Sequence, residues 1–411
     1  MYFYILLIRI AALFGHRKAR LMVEGQKALD MKKEGLTVNG KNIPRNAIWI
    51  HASSVGEFEQ ARPMIEKLRI QNSKFKIILT FFSPSGYELR KNYDQVDAVL
   101  YLPFATRSNA RLFLEALQPK MAIFVKYEFW PAYLRELKKR NIPTYSISAI
   151  FRPNQLFFRP WGKWYLNLLR CFTRIYVQDE ASLQLLQSHG IDQCDIAGDT
   201  RFDRVRDVLA NGERLASTGE RLAPVAQFVQ GCERVIVAGS SWPKDEELLV
   251  QYVNTHPDTK LILVPHEIHD EHMHSIFNLL QGRFVRYTRA NETSLLHAQV
   301  LVVDTIGLLS SIYRFGQVAY IGGGFGVGIH NTIEAAVYGV PVLFGPNYQH
   351  FREAKGLIAA GAARSIKNYK ELEAALDEAL ANHTEIGAKA AEYVAAETGA
   401  TSKICKEIFN I

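Results

Sequence analysis

The chain has few cysteines, and no two of them are close together in the sequence. Its 411 residues include four cysteines, Cys171, Cys194, Cys232 and Cys405, without a C-x-x-C spacing. Scattered cysteines of this kind argue against a disulfide framework and a zinc ribbon, and they are typical of a reducing compartment. Internal repeats, low-complexity tracts and D-x-D carboxylate pairs are also absent, so we expect no metal site and no bound cofactor.

Long apolar runs are missing as well. The N-terminal stretch MYFYILLIRIAALF has fourteen residues and includes Arg9. A helix of that length is too short to cross a hydrocarbon layer of ~30 Å. Positive charge follows this stretch rather than preceding it, and no A-x-A-like cleavage site is present, so the pattern is not typical of a secretory signal.

Positive charge is concentrated near the N-terminus. The formal net charge is +8, and residues 1–45 carry nine Lys/Arg against three Asp/Glu, which is +6 of that total. We interpret residues 1–20 as a monotopic anchor whose apolar face enters a membrane surface, with Arg17, Lys18 and Arg20 on anionic headgroups. The alternative is a core helix of a soluble domain. Nucleic acid is not an expected partner, because no aromatic-interleaved basic motif follows.

The first half alternates strand-like and helix-like segments, which predicts a doubly wound parallel sheet. The predicted strands are 47–51, 76–82, 96–101, 121–125, 144–150, 174–177 and 195–198. The predicted helices are 58–69, 85–93, 106–116, 131–139, 161–171 and 180–188.

The second half repeats the alternation after a charged connection. Its predicted strands are 234–238, 260–264, 282–287, 300–303, 318–321 and 340–344. By analogy of fold, two Rossmann-like α/β domains facing a central cleft describe the GT-B glycosyltransferase architecture. The predicted divisions are an anchor, an acceptor-binding domain, a connection, a nucleotide-sugar-binding domain and a helical tail, over residues 1–20, 21–205, 206–232, 233–385 and 386–411.

A glycine-rich loop follows the predicted strand 318–321. The order GGGFGVG, His330, Asn331 and then a helix from Thr332 predicts a strand, a loop and a helix N-terminus, where free N–H groups suit a phosphate. Asn331 and Glu334 also have the N-x-x-E spacing of a helix cap. They therefore either contact the ligand or close the helix.

Two acidic residues follow predicted strands in the first half. Glu57 has the S-x-x-E spacing of a capping box with Ser54, and spacing alone favours a cap. The functional alternative is an ionised base, kept so because the helix dipole lowers its pKa. Glu128 has the same two interpretations: an acidic residue that complements a helix dipole, or a carboxylate in the cleft. The neighbouring Phe129 and Trp130 are expected to pack in the interior.

Other polar segments are less specific. Arg201 suits a phosphate or carboxylate, or is a surface arginine. Ser240 and Ser241 offer donors at a predicted helix start. The segment PHEIHDEHMH is not an H-E-x-x-H zinc motif, and a solvated helix is the preferred interpretation.

Taken together, the motifs resemble one family. HASSVGE, YEFWP, AGDTRFD, GSSW, DTIG and GGGF…HNTIEAA…GVPVLFGP occur in the order seen in the 3-deoxy-D-manno-octulosonic acid (Kdo) transferases of lipid A synthesis. The resemblance implies a GT-B fold, CMP-Kdo as donor and a lipid A precursor as acceptor. It also implies inverting, metal-independent transfer at the cytoplasmic face of the inner membrane.

The resemblance assigns residues by position. Glu57 is similar to the family's base, and Glu128 and Arg201 to its transition-state-stabilising positions. The expected donor site comprises Ser240, Ser241, Pro265, His266, Ile306, Gly307, Leu308, Gly323, Gly324, His330, Asn331, Thr332, Ile333 and Glu334.

The chain also departs from the family pattern. It has Pro265-His266-Glu267 where P-R-H is usual, and Leu308 where an acidic residue is usual. Both changes remove charged side chains near the expected CMP, whereas contacts through the backbone would not depend on them. Lys126 stands where an acidic residue is common, and Arg201 replaces a lysine. The alternatives are a nucleotide-sugar epimerase and a module that binds CMP without transferring sugar.

Overall fold

The chain folds into two compact units. In the computed structural model, residues 2–32, 34–72, 74–212, 216–326 and 328–411 are described. The first unit comprises Met1–Arg204 and Thr398–Ile411, and the second comprises Val205–Glu397. The expected connection 206–232 therefore belongs to the second unit, and the expected tail 386–411 is divided between the two.

The helices have bounds close to those predicted in the first half. In chain order they are α1 Tyr2–Leu13, α2 Arg17–Lys27, α3 Val55–Gln71, α4 Pro84–Arg90, α5 Arg107–Leu117, α6 Pro131–Lys139, α7 Lys163–Leu169, α8 Glu180–Gln187, α9 Thr200–Gly212, α10 Ala216–Val229, α11 Pro243–Thr255, α12 Asp270–Leu279, α13 Glu292–His297, α14 Leu309–Ile312, α15 Ile333–Ala336, α16 Arg352–Ala359, α17 Tyr369–Ala381, α18 His383–Ala396 and α19 Ala400–Phe409.

The strands form three sheets within the described ranges. They are β1 Leu29–Lys32, β2 Gly35–Val38, β3 Lys41–Asn42, β4 Ile48–His51, β5 Ile77–Phe81, β6 Ala98–Tyr101, β7 Met121–Val125, β8 Thr144–Ala149, β9 Arg174–Val177, β10 Cys194–Ile196, β11 Val235–Ser241, β12 Lys260–Pro265, β13 Phe284–Arg286, β14 Val300–Val302, β15 Val318–Ile321, β16 Val342–Phe344 and β17 Ala363–Ser365.

The first unit contains a parallel sheet with the order β10-β9-β8-β7-β4-β5-β6. Its strands are nearly continuous apolar runs because both faces are covered, and Trp49 packs edge-on against Phe113, Phe124 and Tyr133. The chain builds β5 and β6 on one side of β4, then returns to place β7 on the other. The strand order thus reverses between β4 and β7, where α/β sheets bind ligands.

The second unit repeats this plan with the order β13-β14-β12-β11-β15-β16-β17. Its strand order reverses between β11 and β15, which pair in parallel with Ala238 opposite Tyr320. The predicted doubly wound α/β architecture is confirmed in both units. β17 was not predicted, because the strand has only three residues and these are only partly buried.

The N-terminal segment is packed onto the first unit. β1 to β3 form a small antiparallel sheet that the sequence analysis missed. Gly25 of α2 lies so close to the Tyr101 ring that an added Cβ would be 2.1 Å from its Cδ2 atom. The Gln26 side chain donates to Leu102 O at 2.9 Å and accepts from Phe104 N at 3.0 Å. These contacts fix α2 against the sheet.

Helix α1 exposes many apolar side chains. The exposed ones, with the residue after the helix, are Phe3, Tyr4, Leu6, Leu7, Ile10, Leu13 and Phe14. A search of the described part of the chain finds no helix with the length and hydropathy needed to span a bilayer.

Candidate active site

Glu57 and Glu128 lie at the same edge of the first sheet. Glu57 is in the first turn of α3, directly after β4, and Glu128 follows β7. Because β4 and β7 are parallel neighbours with His51 opposite Phe124, their carboxyl ends meet where the strand order reverses. The topology therefore brings the two carboxylates together.

The Glu128 carboxylate is held by three donors. Its Oε2 atom lies 3.3 Å from His51 Nε2 and 2.6 Å from Trp130 Nε1, and it also accepts from the Ser53 hydroxyl. Burial alone would raise the pKa of Glu128, but the hydrogen bond and charge of His51, with the Ser53 and Trp130 donors, hold that pKa below its ordinary value. Glu128 is therefore an anion at neutral pH.

His51 orients Glu128 from within the sheet. Its side chain is fully buried, and Nδ1 lies 2.9 Å from Thr80 Oγ1 and 3.1 Å from Thr80 O. An ionised carboxylate only accepts hydrogen bonds, so His51 Nε2 carries the proton in the contact with Glu128.

Glu57 has a different environment. It is half-buried, and its Oε2 accepts from the Ser54 hydroxyl. The predicted capping box is half present, because the Ser54 side chain makes no capping bond to the α3 backbone whereas the Ser54 backbone N–H donates to the Glu57 carboxylate. Burial raises the pKa of Glu57 and the charge of Glu128 raises it further, while hydrogen bonds from the backbone N–H groups of Glu57 and Ser54 and the charge of Lys126 only partly oppose them. The backbone N–H groups at the N-terminus of α3 do lower this pKa, but burial and Glu128 outweigh them, so the expected net decrease is wrong.

The two neighbouring carboxyl groups thus have pKa values shifted in opposite directions. Such a split separates a group that exchanges protons from one that stays charged. Glu57 is suited to accept a proton, and Glu128 supplies fixed negative charge. Opposite pKa shifts in two neighbouring carboxyl groups are typical of acid–base sites.

Arg201 belongs to a separate polar cluster in the first unit. Its Nε and Nη2 atoms donate to Asp199 Oδ2 at 2.9 and 2.7 Å, and its backbone N–H donates to Oδ1 at 3.0 Å. Gln60 Nε2 donates to the same buried carboxylate at 3.1 Å. Asp199 fixes the guanidinium group, which stays one-fifth exposed. A guanidinium group held in this way differs from that of a plain surface arginine.

Sequence reasoning missed several residues of this site. His51, Ser53 and Asp199 were not selected, and Trp130 was expected only to pack. A histidine ending the buried strand IWIH was the available signal for His51, because a buried imidazole needs a partner. No local signal pointed to the Trp130–Glu128 bond.

The glycine loop of the second unit packs tightly against neighbouring backbone. A Cβ on Gly322 would lie 2.2 Å from Ser240 O, and one on Gly324 would lie 2.6 Å from Gly345 Cα and N. Gly323 has φ +91°, a left-handed conformation that side chains disfavour. Glycine is therefore required here by close approach of β11, β15 and β16.

The expected row of free loop amides is largely absent in the described loop residues. The N–H groups of Gly322, Gly323, Gly326 and Gly328 donate to Gly239 O, Asp245 Oδ2 and Gly323 O. The Gly324 N–H has no such bond among the residues that the structure describes. The predicted helix is also a single turn, α15, so a helix N-terminus contributes less here than expected.

Asp245 anchors the loop. It is buried in the first turn of α11, and it accepts from Tyr320 OH at 2.7 Å, Gly323 N at 2.8 Å and Trp242 N at 3.0 Å. With Trp242, Pro243, Lys244, Gly323, Phe325 and Gly326 it lines a cavity of about 260 Å³.

Three rings stack beside this loop. The Trp242 and His266 ring centroids are 4.8 Å apart, those of His266 and His330 are 4.5 Å apart, and Trp242 Nε1 donates to His330 Nε2 at 3.4 Å. Burial, with the charge of His266, lowers the pKa of His330 to about 4. His330 is therefore neutral at pH 7 and accepts from Trp242, a residue that the sequence analysis did not select.

The remaining expected donor residues have mixed surroundings. Asn331 Oδ1 accepts from Ile333 N, the first N–H of α15, at 3.3 Å, and its Nδ2 donates to Glu334 Oε1 at 2.9 Å. Buried side chains occur at Ser241, Pro265, Leu308, Thr332 and Ile333, whereas Ser240 and Gly307 are accessible and Ile306 is exposed.

The predicted solvated helix of PHEIHDEHMH needs correction at one residue. His272 is buried in α12, with Nε2 2.8 Å from Glu246 Oε2, and Ser241 Oγ donates to Glu246 Oε1 at 2.9 Å. This cluster ties α12 to the end of β11. Within the described residues, no group of three His, Cys, Asp or Glu side chains is arranged to hold a metal ion.

Comparison with known proteins agrees with this topology. Among solved structures, the chain is similar to UDP-GlcNAc 2-epimerase from Neisseria meningitidis, with a TM-score of 0.66 and 16% identity over 89% of this chain and 100% of that one. MurG from Acinetobacter baumannii gives a TM-score of 0.55 and 14% identity over 90% and 100%. These likenesses concern the fold alone, which is the α/β GT-B fold.

Comparison of sequences finds similarity to one family of enzymes. Residues 24–204 match the family model described as 3-deoxy-D-manno-octulosonic-acid transferase. The transferase of that name from Rickettsia prowazekii is 29% identical over 81% of this chain and 71% of its own length. The one from Aquifex aeolicus is 27% identical over 83% and 88%. These matches support the Kdo transferase family, whose members are glycosyltransferases.

A matched pair of glycine substitutions tests the loop packing. Gly322→Ala places a Cβ against the Ser240 carbonyl, and overpacking of this kind typically costs about 1–3 kcal/mol. Calorimetry should therefore show a lower unfolding midpoint. Gly326→Ala in the same loop meets nothing within 4 Å and should unfold like the wild type. Equal midpoints for the two variants would contradict the described packing.

The raised pKa of Glu57 predicts a stability effect. Because the folded-state pKa lies above its ordinary value of 4.5, ionisation of Glu57 opposes folding once the pH exceeds that value. Glu57→Gln should therefore raise the unfolding midpoint at pH 7.5, and the gain should vanish near pH 4. The exposed Glu88→Gln is the control, and no gain is expected there. A Glu57→Gln variant less stable than wild type at pH 7.5 would argue against the assignment.

Proposed function

We propose that this protein transfers Kdo from CMP-Kdo to a lipid A precursor, with inversion and without a metal ion. The observation that carries the proposal is the pair of adjacent carboxyl groups, Glu57 and Glu128, with oppositely shifted pKa values at the reversal of strand order. Family membership gives the transferred sugar, since its members are named for Kdo. The two carboxyl groups indicate the type of reaction, which is transfer assisted by a general base.

The first unit activates the acceptor in this proposal. Glu57 removes the proton from an acceptor hydroxyl, and the oxygen then forms the new bond to the anomeric carbon of Kdo. The bond from that carbon to the CMP phosphate breaks, and CMP leaves with the electron pair. A base with a raised pKa is well matched to proton transfer near neutral pH, whereas an ordinary carboxylate is a weaker base.

Glu128 and Arg201 have supporting roles. Glu128 stays ionised and keeps Glu57 basic through its charge. Its negative charge also suits a positive charge that develops on the sugar ring as the leaving group departs. Arg201, fixed by Asp199, offers a guanidinium group to an anionic substrate, such as the Kdo carboxylate or the phosphate.

The second unit holds the donor in this proposal. The exposed His266, stacked between Trp242 and His330, offers a flat surface for a ring and an imidazole for an anion. The Gly324 N–H and the accessible backbone around Gly307 are further donors for the nucleotide. No step requires a metal, because these groups meet the charge of the departing CMP directly.

A lipid acceptor also accounts for the N-terminal segment. Helix α1 presents an apolar face and is followed by Arg17, Lys18 and Arg20. An apolar face flanked by basic side chains suits the surface of an anionic membrane. We propose peripheral or monotopic association with the cytoplasmic face of the inner membrane.

The assay of the proposal is mass analysis of the lipid after incubation with CMP-Kdo and a tetra-acylated lipid A precursor. Wild type should add Kdo without added metal and with a chelator present. Glu57→Gln should lower kcat by about 10²–10⁴-fold, the usual contribution of a general base, while Glu88→Gln should be unchanged. Binding of CMP without transfer, or turnover of a UDP-sugar without acceptor, would instead favour a binding module or an epimerase.

The pH dependence of the reaction tests the coupling between the two carboxylates. Since kcat/KM falls as Glu57 becomes protonated, its acid limb should lie above pH 4.5. Lys126→Met removes a charge that lowers the pKa of Glu57, so the limb should move to higher pH. Glu128→Gln removes a charge that raises it, so the residual activity should show a limb at lower pH. Shifts in the same direction would contradict the coupling.

A further inference from the structure

A row of aromatic side chains connects helix α1 with the Glu128 carboxylate. The Tyr4 and Phe82 rings stack, with centroids 6.3 Å apart and planes at 23°. The Phe82 and Trp130 centroids are 4.7 Å apart. Trp130 Nε1 then donates to Glu128 Oε2 at 2.6 Å. Phe82 is thus the link between the N-terminal helix and a group of the candidate site.

Phe82 is fixed on both sides. Directly after it, Ser83 N donates to Ser53 O at 2.8 Å, so the Phe82 loop is joined to the loop that carries another Glu128 donor. On the other side, Phe82 packs with Ile8 against a small cluster of Ile5, Met22 and Phe104. A movement of α1 therefore changes the support of Phe82.

Trp130 depends on these neighbours for its orientation. Among aromatic rings it contacts Phe82 and His51, whose centroid is 6.0 Å away, and it also packs against the core of the first unit. The indole N–H is one of three donors that keep Glu128 ionised. A small rotation of the indole ring would weaken that bond, and small displacements near reacting groups cost rate.

Helix α1 has a second, open face. Leu13 and Phe14 are 86% and 87% exposed, and Phe3 is 73% exposed. The segment after α1 carries Arg17, Lys18 and Arg20. One side of α1 thus supports Phe82, while the other is free to enter an anionic lipid surface.

We propose that Phe82 is a positioning residue through which α1 sets the orientation of Trp130, and so of the Glu128 carboxylate. Binding of α1 to a lipid surface then changes the orientation of Trp130 and of the Glu128 carboxylate. This inference rests on the proposed function in assigning Glu128 to the transfer reaction.

Steady-state kinetics provide the first test. Phe82→Ala should lower kcat by about tenfold or more, with KM for CMP-Kdo changed less than about twofold, because the donor is not bound by this row. Phe82→Tyr retains the ring and should restore kcat. Leu89→Ala, at an exposed position of the following helix α4, is the matched control and should be unchanged. A folded Phe82→Ala protein with wild-type kcat would overturn the proposal.

A double-mutant cycle tests the path through Trp130. Trp130→Phe keeps an aromatic ring but removes the N–H donor to Glu128. If Phe82 acts through that donor, Phe82→Ala should have little further effect on kcat in the Trp130→Phe background. Independent, multiplicative losses would show that Phe82 acts by another route and would overturn the proposed link.

Fluorine NMR tests the link without any transfer assay. With 5-fluorotryptophan incorporated and the Trp130 resonance assigned by Trp130→Phe, vesicles of phosphatidylglycerol and phosphatidylethanolamine should shift that resonance. The shift should be lost in Phe82→Ala and kept in Leu89→Ala. A Trp130 resonance unmoved by vesicles that do bind the wild type would overturn the coupling. A wild type that transfers no Kdo yet shows the shift would refute the proposed function and leave the link standing.

Discussion

The site of the first unit depends on the stabilisation of one buried anion, Glu128. A carboxylate removed from water is costly unless donors meet it, and His51, Ser53 and Trp130 supply three. Once Glu128 is fixed as an anion, its charge and the burial of Glu57 both make Glu57 harder to ionise. A pair of ordinary carboxyl groups is thereby converted into a base and a fixed charge, and the proposed chemistry follows from that difference.

Both units place their functional groups by the same topological device. In each sheet the chain first adds strands on one side of the first strand and then on the other. At that reversal, no crossover connection covers the carboxyl ends of the two adjacent strands. In the first unit this position holds Glu57 and Glu128. In the second it holds Ser240 and the glycine loop, packed so closely that Gly322 tolerates no side chain. The strand order therefore determines where the functional groups lie, and the side chains at these strand ends determine what reaction they can support.

The sequence predicted what is encoded locally. Buried strands in both halves are short apolar runs between turns, and the motif order indicated the family, so the fold and Glu57 were accessible. Contacts between distant segments were not. His51 and Trp130 meet at Glu128 from two strand ends, and Phe82 contacts Trp130 from a third. In the second unit, Asp245 reaches Gly323 across 78 positions. The same long-range effects made the predicted pKa shift of Glu57 wrong, because a helix dipole is local whereas burial and Glu128 are not.

The central claim is that the pKa of Glu57 lies above that of an ordinary glutamate and the pKa of Glu128 lies below it. Carbon NMR of protein labelled at the glutamate side-chain carboxyl, with the two resonances assigned by Glu57→Gln and Glu128→Gln, measures this directly. The account predicts that Glu57 titrates above pH 4.5 and Glu128 below it. Two coincident titrations, or the reverse order, would contradict it.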